Sequence, residues 1–233
     1  MKRLPRIYFS FRSPFSWLAL RRLEERAPAL VESLELIPYW EPDRITAGRL
    51  EALGAAIHYG PMSKAKHLYI LQDVKRLARK CGVEVIWPID VDPVWEVPHL
   101  AWIKARREGR ARSFYQAVVD ARWKRGENIC DPAVVHRLAD SLGLAGDRIA
   151  GALDEEDVRR EGVEHLVRAY EDDIFGVPYM RYGQHRFWGF DRLDDFIAVV
   201  MEAQDGDMPP AHPPGRPVAS TSWYERDVSG GCG

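Results

Sequence analysis

The chain has 233 residues, 46% hydrophobic and 29% charged, enough apolar material for one domain, or one carrying an insertion, and too much for a disordered polymer. Thirty-three Lys and Arg against thirty-five Asp and Glu leave a formal charge of −2, so no partnership with nucleic acid or an anionic membrane is expected. No apolar run nears the roughly 18 residues of a membrane span, and the basic start is followed by a stretch that Ser10 and Arg12 interrupt, so no signal peptide is predicted.

Residues 6–11 (Arg-Ile-Tyr-Phe-Ser-Phe) read as a strand buried on both faces. Ser13 then suits a helix N-cap and Pro14 the first helical turn, ahead of Leu20, Leu23, Ala27 and Leu30 at helical spacing. Residues 34–39 read as a second strand, completing a βαβ unit with parallel strands. From 43 to 172 helical patterns dominate: 64–80, 98–107, 111–124, 132–141, and 147–172 with a break. The strand signal there is at 83–87. Residues 177–182 and 185–188 around Gly183-Gln184 predict a hairpin. A closing helix is expected from near Asp191 to Glu202, with Asp194 forming a weak capping box. The domains predicted are a discontinuous one (1–42 and 173–203), a helical insertion (43–172) and a flexible tail (204–233). That tail holds five prolines, Trp223, Tyr224 and a Gly-Gly-Cys-Gly end.

Cys81, Cys130 and Cys232 form no CxxC pair, and the seven histidines form no HExxH, so neither a disulfide framework nor a metal site is predicted. A reducing cytoplasm is the expected setting. The basic stretch 101–126 carries Trp102, Phe114, Tyr115 and Trp123, but amphipathic helices with a solvated basic face look the same.

Three segments could carry chemistry. Ser13, where strand meets helix, could cap the helix or donate a hydrogen bond to a bound thiolate; capping alone suffices to explain it. Pro178 after Val177 could be cis, although X-Pro bonds are mostly trans. Asp191, in Trp188-Gly189-Phe190-Asp191-Arg192, could receive an ammonium group or cap the last helix.

Taken together, these segments resemble the DsbA-like thioredoxin superfamily, in its branch of 2-hydroxychromene-2-carboxylate isomerases and kappa-class glutathione transferases. The opening Tyr8-Phe9-Ser10-Phe11-Arg12-Ser13-Pro14-Phe15-Ser16-Trp17-Leu18, Phe175-Gly176-Val177-Pro178, and Trp188 through Leu193 carry the resemblance. Lys66-x-x-Tyr69-x-x-x-Asp73, Gly82, Trp87-Pro88 and Trp123 through Ile129 are similar to the helical-domain signatures. The resemblance spans about residues 6–203 and implies an α/β thioredoxin-like fold with a large helical insertion domain.

Disulfide oxidases of the superfamily have Cys-x-x-Cys where this chain has Ser13-Pro14-Phe15-Ser16, so thiol–disulfide exchange is excluded at that position. The resemblance instead implies a glutathione-dependent cis–trans isomerase, with glutathione or another low-molecular thiol as cofactor. Its thiolate, held by Ser13 as the catalytic residue, would add reversibly to an unsaturated ketone. Val177, before cis Pro178, would pair with the cofactor's cysteinyl backbone. Asp191 would bind its γ-glutamyl end, while Trp188, Gly189 and Phe190 line the site. An aromatic or polyketide-like small-molecule substrate and a homodimer are implied; the alternatives are a kappa-like transferase or a non-catalytic binding module. The chain departs from the branch at Ser10 (usually Asp), at Phe190 (usually Asn, Ser or Gln), and at 54–61, where His58 and Tyr59 replace a Gly-Asn element.

Overall fold

The computed structural model of the chain describes residues 4–57 and 62–205. His58, Tyr59, Trp223, Tyr224, Cys232 and the proline-rich tail lie outside them. Strand β1 (Arg6–Phe9) leads through a short loop to α1 (Pro14–Arg26), then a short α2 (Pro28–Glu32) and strand β2 (Glu35–Pro38). Among the described residues seven α-helices follow before the chain returns to the sheet: α3 (Arg44–Ala52), α4 (Lys64–Lys80), α5 (Glu96–Arg107), α6 (Ala111–Arg125), α7 (Pro132–Ser141), α8 (Gly146–Ala150) and α9 (Glu156–Glu171). The hairpin β3 (Tyr179–Tyr182) and β4 (His185–Trp188) then precedes a 3-10 turn, Phe190–Arg192, and α10 (Leu193–Asp205).

The sheet order is β2-β1-β3-β4. β1 runs parallel to β2, with Ile7 opposite Leu36, and antiparallel to β3, with Ile7 opposite Met180. Strand, helix, parallel strand, helical insertion, hairpin and closing helix follow the order expected from the sequence.

Ile7, Tyr8 and Phe9 are wholly buried, as their unbroken apolar run requires. The Phe9 ring meets Phe11, Trp102 of α5 and Tyr115 of α6 edge-on, at 5.2–5.4 Å between centroids. Sheet and insertion therefore share one continuous core. The end of α9 is tied to the strands by Asp172, which accepts from Tyr8 Oη and pairs with Arg6 and Arg181. Burial and this carboxylate push the Tyr8 phenol well above its usual range.

Three elements differ from expectation. Residues 83–87 form no strand: Val83, Val85 and Trp87 alternate inward against the core, but among the described residues no strand pairs with them, and Ile86 N–H donates to Trp123 O of α6 instead, at 2.8 Å. Helix α3 arises where no helix was expected; it buries only Thr46 and Leu50, and Asp43 starts it by accepting from Thr46 N at 2.7 Å. The last helix begins at Leu193 and reaches Asp205, two residues into the span assigned to the tail.

Candidate active site

The loop from β1 into α1 ends at Ser13, which is half-buried and caps α1: its Oγ accepts from Ser16 N at 3.2 Å. The same hydroxyl donates to Val177 O, 3.3 Å away and 164 residues on. The Val177-Pro178 peptide bond is cis. The sequence placed both residues at one helix tip, and the fold joins them there. Pro14 at the first helical position leaves one fewer first-turn N–H to satisfy. The remaining N–H groups and the positive dipole end favour an anion beside Ser13.

Trp188 and Gly189 lie next to this pair, because Gly189 N–H donates to Pro178 O at 3.0 Å and Trp188 stands opposite Tyr179 in the hairpin. Gly189 has φ +96, and a Cβ there would come within 2.8 Å of Asp191 Oδ1. Gly176 lies against the Trp188 indole so closely that a Cβ would sit 2.8 Å from Nε1. Phe175, 52% exposed, meets the Trp188 ring at 5.0 Å. An open aromatic wall therefore borders Val177.

Asp191 and Phe190 part company. The Asp191 side chain is 74% exposed, with Arg192 at 3.6 Å. It lies inside the 3-10 turn Phe190–Arg192, which has no side-chain cap bond, and the Asp194 carboxylate goes to Arg22 of α1. Helix α10 starts two residues after Asp191, at Leu193, so Asp191 is not the residue that precedes it. Phe190 is 8% exposed and turns inward beneath the Arg22 guanidinium, 5.4 Å from its ring centroid, so its ring belongs to the core rather than to the open wall expected of it.

Sequence reasoning gave no role to Ser10, Ser16 or His99, and these hold the loop. Ser10 N–H donates to Ser16 Oγ (3.3 Å), Ser10 O accepts from Ser13 N (3.1 Å) and Ser10 Oγ accepts from Arg12 N (3.2 Å). His99, fully buried in the first turns of α5, accepts from Phe11 N at 3.2 Å through Nε2. Its Nδ1–H donates to Trp95 O at 2.6 Å. Burial, with Arg122 adding to it, pulls the imidazole down to about 3, so it is neutral near pH 7. Arg12, just before Ser13, reaches Glu41 at 2.6 Å and lies over the Trp95 ring.

Neither described cysteine favours its thiolate form. Burial pushes Cys130 up to about 12 and raises Cys81 as well.

Residues 6–200 match the DSBA-like thioredoxin domain. A 2-hydroxychromene-2-carboxylate isomerase from Sphingobium xenophagum is 29% identical over 199 residues, covering 84% of this chain and 96% of the relative. A 2-hydroxychromene-2-carboxylate isomerase from Pseudomonas putida is also 29% identical, over 195 residues, covering 80% and 88%. Among solved structures, a 2-hydroxychromene-2-carboxylate isomerase superposes with a TM-score of 0.71 at 25% identity, covering 88% of this chain and 98% of the other.

Proposed function

Because the chain belongs to the DsbA-like thioredoxin family, we propose that it is a glutathione-dependent isomerase of the 2-hydroxychromene-2-carboxylate type, acting on a small aromatic unsaturated ketone. The observation that carries this reading is the Ser13 hydroxyl at the N-terminus of α1, 3.3 Å from the Val177 carbonyl. The positions of a dithiol hold Ser13 and Ser16, which rules out disulfide exchange there and leaves a hydroxyl suited to a borrowed thiolate. Relatives bearing the isomerase name align over nearly their full length, which supports the reaction class.

The residues present suit a cysteinyl tripeptide thiol: a half-buried hydroxyl at a helix N-terminus, a neighbouring peptide for backbone pairing, and an exposed carboxylate beyond it. The chemistry glutathione supplies when bound is a nucleophilic thiol that is regenerated in every turnover. Ser13 accepts from Ser16 N, which leaves its hydroxyl hydrogen to donate. Turning that hydrogen from the long Val177 bond onto a sulfur anion stabilises the anion, and the first turn of α1 adds its dipole. The Val177 peptide pairs with the cysteinyl backbone, Asp191 receives the glutamyl ammonium, and Phe175 with Trp188 shields one side of the reacting end from water.

Glutathione should raise the melting temperature, adding about 2.7 kcal/mol of stability at a hundredfold excess over Kd. Ser13→Ala should keep the fold, losing roughly 1 kcal/mol with its cap, while raising the pKa of the bound thiol. No melting shift with any low-molecular thiol would end this reading. Consumption of free thiol during turnover would replace the isomerase with a transferase.

A further inference from the structure

We propose that His99 is a positioning residue for Ser13: an imidazole supplied by the helical insertion that, together with Ser10, fixes the β1–α1 loop and so aims the hydroxyl that holds the thiol. The proposal rests on the reading of Ser13 given above, but its geometry stands apart from any ligand. Every backbone N–H from Ser10 to Ser13 has an acceptor: Ser16 Oγ, His99 Nε2, Ser10 Oγ and Ser10 O in turn. Ser10 is the hub, and its Oγ also lies 3.4 Å from His99 Nε2.

The tautomer follows from the partners. Nδ1 faces the Trp95 carbonyl and must carry the hydrogen, so Nε2 is an acceptor and the Ser10 hydroxyl points its hydrogen there. The ring is clamped between Trp40, stacked at 5.0 Å and 16°, and Phe11 at 5.1 Å. No charge is needed in this pocket. The nearby cation Arg122 is committed to Asp90 through two bonds, 2.8 and 2.9 Å, and lies over the Trp95 and Trp123 rings. A carboxylate at position 10 would bring no hydrogen to the Nε2 lone pair it faces, whereas the serine hydroxyl donates there. The departure at Ser10 and the buried histidine are two halves of one arrangement.

Two substitutions of similar size separate positioning from packing. His99→Gln keeps an acceptor towards Phe11 and gives up the bond to Trp95, whereas His99→Asn keeps the donor to Trp95 and gives up the acceptor. Both should lower the melting temperature alike. Amide exchange at Phe11 and Arg12 should be about tenfold faster in His99→Asn than in His99→Gln, the cost of one lost hydrogen bond. Bound glutathione should show a smaller thiolate fraction in the Asn variant, with Gln near the wild type. If neither histidine variant folds, Ser10→Ala should speed exchange at Arg12 while Ser10→Thr does not. Equal exchange in the paired variants would overturn the proposal whether or not a thiol binds. A wild type that binds no thiol would instead overturn the functional reading and leave the exchange contrast to decide the role of His99.

Discussion

Two irregular stretches of the chain contrast sharply. The loop between β1 and α1 is four residues long, and each of its amides has an acceptor. The stretch between α4 and α5 is much longer and is held at few points, chiefly Ile86 N–H on Trp123 O and Asp90 on Arg122. It leaves Ile86, Ile89, Val91 and Val94 exposed. Irregular backbone is fixed by where its N–H groups go rather than by how apolar it is. The polar loop is the fixed one, and it carries Ser13.

The contrast can be broken most forcefully at Phe11, a wholly buried ring in the short loop touching Phe9, His99 and Tyr115. Phe11→Ala should cost about 3–5 kcal/mol of stability in urea unfolding; a loss under about 1 kcal/mol would show that the loop does not depend on its ring. Acid should act next. His99 and His165 are held neutral chiefly by burial, down to about 3 and about 4, against an ordinary value of 6.5. The unfolded chain takes up these protons first, so this contribution is complete above the ordinary value and is lost as pH falls below it. The loss should be about 1.4 kcal/mol per pH unit for each histidine, ending for His165 near its native value. His99→Gln should roughly halve that slope between about pH 6 and about pH 5; an unchanged slope would remove His99 from the account. The smallest effect belongs to the long stretch. Ile89, 83% exposed, should tolerate Ile89→Ser within about 0.5 kcal/mol, and a larger loss would mean that this surface is covered in solution.

Local signals were legible in the sequence. Helices α4 and α7 fall where their patterns placed them, because the caps Ser63 and Asp131, the latter followed by Pro132, are short-range features. Strand β1 was visible as an unbroken apolar run and the hairpin as two strands around Gly183. Residues 83–87 show the limit: alternation was present, but a strand also needs a partner, which lies elsewhere in the chain. Helix α3 was missed because it buries one face of two residues around Gly48. Within the site, Ser13, Val177 and cis Pro178 meet as the family resemblance implied. His99 was illegible because its bonds to the loop span 88 and 89 residues and no spacing announces them.

Helix α1 has a consequence beyond support. Its N-cap is Ser13, while Arg22, nine residues later, grips Phe190 and Asp194 on either side of Asp191. At about 1.5 Å of rise per residue, those two anchorages stand roughly 13 Å apart along a rigid rod. One continuous helix therefore joins the cap at Ser13 to the ion pair at Asp194, so a strain introduced at either end is carried to the other.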